Sequence, residues 1–225
     1  MSQALRYALP MAVAIAVFPI PIIAAVLMVG SDRGRVKGLA FVLAWCAGLA
    51  FVGALALALA DGADASGDGA PSTWAAVLLL VVGVLLLAAA IKQWRGRPRA
   101  GEETPTPGWM LTIDDFTTVR AGGAGLALSA LNPKNVLLVV AAAVEIAGVG
   151  LPASQEITAL LVFVAVASIG VLFPLALTVV LRDRSRQLLE RVRVWMARHN
   201  AVIMAVLLVV IGAKLIADAV AALSG

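Results

Sequence analysis

Residues 126–144 read LALSALNPKNVLLVVAAAV, an apolar stretch interrupted by the polar run Asn132-Pro133-Lys134-Asn135. Proline removes a backbone donor and clashes with the preceding helical turn. In lipid, the carbonyl that loses its donor needs a partner inside the protein or in a water-filled cavity. A lysine inside the membrane is costly and by default indicates a functional site. The run therefore predicts a membrane helix that is broken at a polar site.

A second interruption lies in the first apolar stretch, where residues 18–23 read FPIPII. Two prolines at this spacing remove backbone bonds from successive turns. Paired breaks in two halves of a membrane chain indicate a transport site near the membrane midplane. The candidate substrate-binding residues are therefore Pro19, Pro21, Asn132, Pro133, Lys134 and Asn135.

Both interruptions also have purely structural explanations. Pro19 and Pro21 could simply kink the first span, and Lys134 could extend its ammonium from a re-entrant turn to a headgroup layer. In the functional interpretation, the amides and the ammonium bind an anionic group such as a carboxylate or a phosphate.

The composition excludes a soluble globular domain, because only 13% of the 225 residues are charged and 62% are hydrophobic, whereas soluble domains are about one quarter charged. A helical span takes about 20 apolar residues. We therefore expect an all-α polytopic membrane protein with a single membrane domain at residues 1–225. Its six spans are predicted at about residues 9–30, 38–60, 74–91, 122–150, 157–181 and 201–223.

Lysine and arginine alternate between the predicted loops. The loops at 31–37, 91–120 and 182–200 carry 3, 5 and 6 of these residues, and the two loops between them carry none. Cytoplasmic loops are enriched in these cations. The three cationic loops are therefore predicted to be cytoplasmic, and both termini are predicted to lie outside. The formal charge of +4 lies in these loops and gives no reason to expect nucleic acid as a partner.

The two halves of the chain resemble each other in three places that occur in the same order. Because each unit contains three spans, the second is predicted to be inserted upside down, as in the inverted repeats of secondary transporters. We predict repeat one at about 1–91, a cytoplasmic linker at about 92–120 and repeat two at about 121–225. The matched segments are 18–26 with 132–140, 48–51 with 170–173, and 82–83 with 211–212.

Five further residues are possible secondary site residues. Lys214 and Asp218 lie four apart and so share a helix face, where they would form a neutral pair near the outer interface. Glu145 follows the second break by about three turns and could face a cavity. Pro174 is expected to break the fifth span. Asp114 precedes the fourth span and could equally be a solvated loop residue.

Segment 183–199 has apolar residues at helical spacing among arginines. This pattern predicts an interfacial helix on the anionic leaflet, or alternatively an extension of the fifth span. The apolar positions are Leu188, Leu189, Val192, Trp195 and Met196.

Several chemistries are not expected. The chain has no phosphate-binding loop, its one histidine lies in a loop, and its one cysteine cannot form an internal disulfide. An enzyme is disfavoured because no nucleophile–base pair is visible. We therefore expect no catalytic residue, no bound metal and no cofactor.

The sequence resembles the GAP family, the glycolipid- and sulfolipid-addressing proteins of the LysE transporter superfamily. The resemblance rests on Pro-x-Pro-Ile-Ile at 19–23, the small basic loop after it, the segment from Trp109 to Asp114, and the Asn-Pro-Lys-Asn run. It implies six spans in two inverted three-helix units, and a role in moving or addressing envelope lipids at the bacterial inner membrane.

The expected function is therefore secondary transport of an envelope lipid or glycolipid with an anionic head group. A LysE-type exporter of a small amino acid or cation is one alternative, and a non-transporting scaffold for envelope-lipid synthesis is another. The expected partners are membrane lipids, the lipid or small-molecule substrate, a second copy of the chain, and envelope-lipid synthesis proteins.

Overall fold

The computed structural model describes residues 1–64, 73–97, 116–181 and 185–224, and these ranges are helical without strands. A π-helical segment, Ala127–Leu131, joins the fifth α-helix to the sixth. Within the described ranges the α-helices are α1 Ser2–Ala16, α2 Pro19–Gly30, α3 Gly34–Asp64, α4 Thr73–Arg95, α5 Thr118–Leu126, α6 Pro133–Ala147, α7 Ala153–Ala167, α8 Ile169–Leu181 and α9 Ser185–Ser224.

Helices α3, α4 and α9 are each long and apolar enough to cross a membrane. The remaining helices form three bent pairs, α1 with α2, α5 with α6, and α7 with α8, whose members are inclined by 52°, 57° and 57°. Counting each pair as one span gives up to 6 spans. The prediction of an all-helical polytopic membrane protein with broken first and fourth spans is confirmed.

The fifth span is broken as well, but the predicted position at Pro174 is wrong. The break lies at Ser168, between α7 and α8, and Pro174 lies inside α8. The Ser168 hydroxyl donates to the Val164 carbonyl at 2.7 Å. Serine bonds of this kind compete with the backbone and bend helices. The donor that Pro174 lacks would serve the Gly170 carbonyl in the first turn of α8, so its effect falls next to an existing bend.

Helix α3 forms the centre of the bundle and packs against α2, the π-helical segment and α5 to α8. Its side chains Phe41, Trp45 and Leu49 are fully buried. Helix α4 packs mainly against α9, while α1 packs against α6 and α7.

The three breaks lie side by side around α3. Cys46 of α3 contacts the Ser168 hydroxyl at 3.2 Å. A Cβ atom on Gly48 would lie 2.1 Å from Ser129 Oγ in the π-helical segment. A Cβ atom on Gly170, just after the fifth-span break, would lie 1.7 Å from the Ala16 carbonyl oxygen, just before the first. Small residues therefore allow the irregular backbone to be buried inside protein, as the absence of water in lipid requires.

The amphipathic segment predicted as an interfacial helix is instead the beginning of α9, which continues without a break to Ser224. Its 40 residues correspond to about 60 Å of helix, longer than a hydrocarbon core of about 30 Å. Leu189 and Met196 are buried against α2, whereas Trp195 is 57% exposed. The segment is therefore neither a separate helix nor an extension of the fifth span, and Leu189 and Met196 of its apolar face pack on α2. Its position at the membrane interface stays a prediction.

Two glycines of α5 offer a matched test of this close packing. A Cβ atom on Gly125 would lie 2.2 Å from the Phe41 carbonyl oxygen of α3, whereas one on Gly123 would meet nothing within 4 Å. We expect Gly125→Ala to lower the free energy of unfolding by about 1–3 kcal/mol, the usual cost of overpacking. Gly123→Ala should be neutral or stabilising by up to about 1 kcal/mol, because alanine favours helix. Thermal unfolding in detergent measures both, and equal stability of the two variants would contradict the close approach of α3 and α5.

Candidate functional site

The two sequence-predicted breaks have the same backbone form. Phe18 (φ −62°, ψ 121°) and Asn132 (φ −75°, ψ 114°) are both extended, and each is followed by a proline at the first position of a helix. Proline is well tolerated there, since that position needs no backbone donor. Pro19 and Pro133 therefore begin new helices after each break.

The first break offers little polar chemistry. Phe18 is 2% exposed, and its backbone N–H donates to the Ile15 carbonyl. Pro19 and Pro21 have no N–H groups, so two of the donors that a helix N-terminus normally presents are missing from α2. These prolines shape the chain, and the start of α2 is a poor place to bind an anion.

The fourth-span break is polar and largely self-satisfied. The Asn132 side-chain oxygen accepts from the Lys134 backbone N–H at 3.2 Å. Asn135, fully buried, donates from its side chain to the Leu128 carbonyl at 2.8 Å. This bond serves a π-helical carbonyl just before the break at Pro133. Asn132 and Asn135 thus hold the break in place.

One polar atom of the Asn135 side chain has no hydrogen-bond partner among the described residues. This atom is the side-chain oxygen, which is buried. A buried acceptor without a partner costs free energy. This atom lies at the break, where a water molecule or a ligand could satisfy it.

Lys134 places its charge away from the buried break. Its ammonium donates to the Gln93 side-chain oxygen at 3.2 Å, in the last turn of α4. Within the described residues, no carboxylate lies within 4.0 Å of this ammonium. The Lys134 side chain thus starts at the break and places its ammonium at the end of α4 that carries Lys92. Long cationic side chains extend in this way at membrane interfaces.

A second polar centre joins three helices. Lys214 of α9 contacts Asp218 at 2.5 Å, the predicted pair, and also contacts Glu145 of α6 at 3.4 Å. The Tyr7 ring of α1 lies 5.4 Å from the Lys214 nitrogen. The sequence pointed to Glu145 only by its distance from the break. Its link to Lys214 spans 69 residues and has no signal in local spacing.

The position of this centre along the bundle follows from the residues around it, and its expected place near the outer interface stays a prediction. A Cβ atom on Gly83 of α4 would lie 2.9 Å from the Gly212 carbonyl oxygen and 2.7 Å from the Ile216 side chain. Lys214 lies between those two residues of α9, and Gly83 is close to the middle of α4. Lys214 is therefore level with the middle of α4, while Glu145 lies two residues before the end of α6.

The two polar centres are distinct. Lys134 and Glu145 belong to the same helix and are 11 residues apart, or about 16 Å along its axis. Pro174 packs inside α8 and has no part in either centre. Asp114 lies outside the described residues, as does the segment from Trp109. Among the residues that are described, no group of three His, Cys, Asp or Glu side chains could hold a metal ion.

The family described as SfLAP, "Sap, sulfolipid-1-addressing protein", matches residues 8–221. No curated protein and no solved structure matches the chain.

Proposed function

Because the chain belongs to the family of sulfolipid-1-addressing proteins over residues 8–221, we propose that it is a secondary transporter of an envelope lipid with an anionic head group at the bacterial inner membrane. The family name points to addressing or transport and not to catalysis. The substrate class proposed here goes further, and it rests on the chemistry at the fourth-span break.

The observation that carries the proposal is the Lys134 ammonium, whose hydrogen-bond partner among the described residues is the neutral amide of Gln93 at the end of α4. Sulfate, phosphate and carboxylate oxygens form charge-assisted bonds to such a group. An anionic head group could displace Gln93 without breaking an ion pair. We assign Lys134 to head-group binding, and Pro19, Pro21, Asn132, Pro133 and Asn135 to shaping the breaks.

The surface beside Lys134 suits acyl chains. Leu126 and Leu131 flank the π-helical segment and are 47% and 76% exposed. A lipid could therefore place its head at Lys134 while its tails remain against apolar side chains and the surrounding bilayer. A small amino acid would gain nothing from these leucines.

We further propose that the two halves form an inverted repeat of the LysE superfamily type. The support is local: Phe18 and Asn132 align without a gap, and both adopt an extended conformation before a proline that starts a helix. The bends at these two positions, 52° and 57°, are also similar.

The cationic loops predict the membrane orientation. With the cationic loops inside, both termini should face away from the cytoplasm. A cysteine placed after Ser224 in a variant with Cys46→Ala should react with a membrane-impermeant maleimide in intact cells. Labelling only after the cells are opened would overturn both the orientation and the count of spans.

The function is tested with the full chain reconstituted in vesicles. We expect it to accelerate leaflet exchange of a sulfated glycolipid carrying a fluorescent acyl chain, and not of the same lipid with a neutral head. Uptake of radiolabelled lysine without lipid exchange would favour the small-molecule exporter. No flux of either compound, together with recovery of lipid-synthesis proteins in a complex, would favour the scaffold.

A further inference from the structure

The centre formed by Glu145, Lys214 and Asp218 contains two carboxylates and one ammonium. Its ionised form therefore has one uncompensated negative charge. Charged groups deep in a membrane are paired with one another or serve proton and ion pathways. Lys214 compensates the charge of one carboxylate, and the charge of the second carboxylate has no counter-ion at this centre. The centre therefore becomes neutral when it gains one positive charge.

We propose that this centre is a proton-binding site and that Glu145 is the group that accepts the proton. The proposal rests on the secondary transport proposed above, because the bound proton would be the coupling ion. Glu145 lies about 16 Å along α6 from Lys134, so the proton proposal does not depend on how the lipid head is bound.

The geometry selects Glu145 over Asp218. The ammonium lies 2.5 Å from Asp218 but 3.4 Å from Glu145, so Asp218 is the closer ion-pair partner. The Glu145 side chain is also the least exposed of the three, at 10%, compared with 24% for Lys214 and 32% for Asp218. Low exposure makes an uncompensated charge most costly at Glu145.

Among the described residues, the helices of the bundle contribute few other charges near this centre. Helix α1 contributes Tyr7, whose ring faces Lys214. Helix α7 has Glu156 in its first turn, where it is buried with an interaction of its own. Helices α3 and α4 carry their charged residues near their ends, at Arg35, Lys37, Asp61 and Asp64 in α3 and at Lys92 and Arg95 in α4, and the Cys46 thiol in the middle of α3 contacts Ser168.

Water must reach this centre for a proton to enter and leave. Lys214 is partly exposed although it is level with the middle of α4, and Asp218, one turn further along α9, is more exposed. Charged side chains at that depth face a water-filled cavity or the bundle interior and not lipid. The exposed side of the pair thus marks the entry point for water.

The proton step is simple to balance. A hydronium ion in this water transfers one proton to the Glu145 carboxylate, giving a carboxylic acid and a water molecule, and the reverse transfer releases it. No bond other than O–H forms or breaks, and no electrons are exchanged. With the proton bound, Lys214 and Asp218 remain as a neutral pair.

Proton binding is measured on the purified protein without any transport assay. Infrared difference spectra across a pH titration should show the C=O stretch of a carboxylic acid in the wild type. That band should be missing in Glu145→Gln and remain in Glu190→Gln, a matched change at the exposed pair with Arg193. A band that survives in Glu145→Gln, or that responds to Na⁺ at constant pH, would overturn the proton assignment.

Coupling is measured separately in vesicles with the membrane potential clamped. If one proton moves per lipid, a pH gradient of one unit should support about a tenfold transmembrane ratio of the labelled lipid. Glu145→Gln should bring the ratio to one while exchange without a gradient continues. Asp218→Asn should do the same, because Glu145 then pairs with Lys214 and the centre is already neutral.

The outcomes separate the two proposals. If no lipid moves in any variant, the proposed function fails, and the infrared band still decides whether Glu145 binds a proton. If lipid moves and the gradient ratio of Glu145→Gln equals that of the wild type, the coupling role of Glu145 is wrong while the lipid transport remains.

Discussion

Replacing Lys134 by methionine should leave the fold intact and largely abolish the flux of anionic lipid. Methionine roughly keeps the length of the side chain and removes its charge. A hydrogen bond to a charged group contributes about 1.5–3 kcal/mol, or roughly ten- to a hundredfold in affinity. The change removes one hydrogen bond to Gln93, which lies in the last turn of α4, so thermal stability should change little. The measurement is lipid exchange in reconstituted vesicles, with unfolding of the same preparation followed alongside.

Two further variants make this result specific. Lys134→Arg should retain part of the flux, since the planar guanidinium needs more room and a different geometry. Lys92→Met removes an exposed cation from the same end of α4 and should leave flux nearly unchanged. Wild-type flux in Lys134→Met would show that this lysine only extends to the interface, and the head-group site would have to be abandoned.

Replacing Lys214 by methionine should have the largest effect on stability. It leaves Glu145 and Asp218 as two carboxylates without a counter-ion at the centre of the bundle. Removing one partner of a buried ion pair costs about 3–5 kcal/mol. Because Asp218 is 32% exposed, we expect the lower end of this range. Thermal unfolding in detergent, or loss of expression at the membrane, reports the effect.

Neutralising the remaining carboxylates provides the internal control. The triple variant Lys214→Met, Glu145→Gln, Asp218→Asn has no charge at this centre and should recover most of the lost stability, since replacing a whole buried ionic group is often neutral. If Lys214→Met alone unfolds at the wild-type temperature, both carboxylates are fully hydrated and the centre is not the low-dielectric site described above.

The sequence predicted the broken spans well because proline acts locally. Proline interrupts the helix before it and is well tolerated at the first position of the next helix, so breaks at Pro19 and Pro133 could be located from the chain alone. The pairing of Lys214 with Asp218 was equally accessible, because residues four apart share one helix face.

Other features depended on contacts between distant segments. The Ser168 break has no proline, and it depends on a hydroxyl that bonds both its own helix and Cys46. The link from Glu145 to Lys214 depends on how α6 and α9 are placed relative to each other. The place of the Lys134 ammonium was equally hidden, because its contact with Gln93 joins residues 41 apart in the chain.

The unusual length of α9 connects two distant parts of the bundle through one continuous helix. One uninterrupted helix contains both Leu189 and Lys214, which are 25 residues apart. Leu189 packs on α2 next to the first break, and Lys214 belongs to the centre with Glu145 and Asp218. That separation is about 37 Å of rigid rod. A small tilt that pivots near Lys214 would therefore be magnified at Leu189 and would push α2 about the hinge at Phe18. Charge neutralisation at one end of the rod and opening of a broken span at the other would then be a single motion.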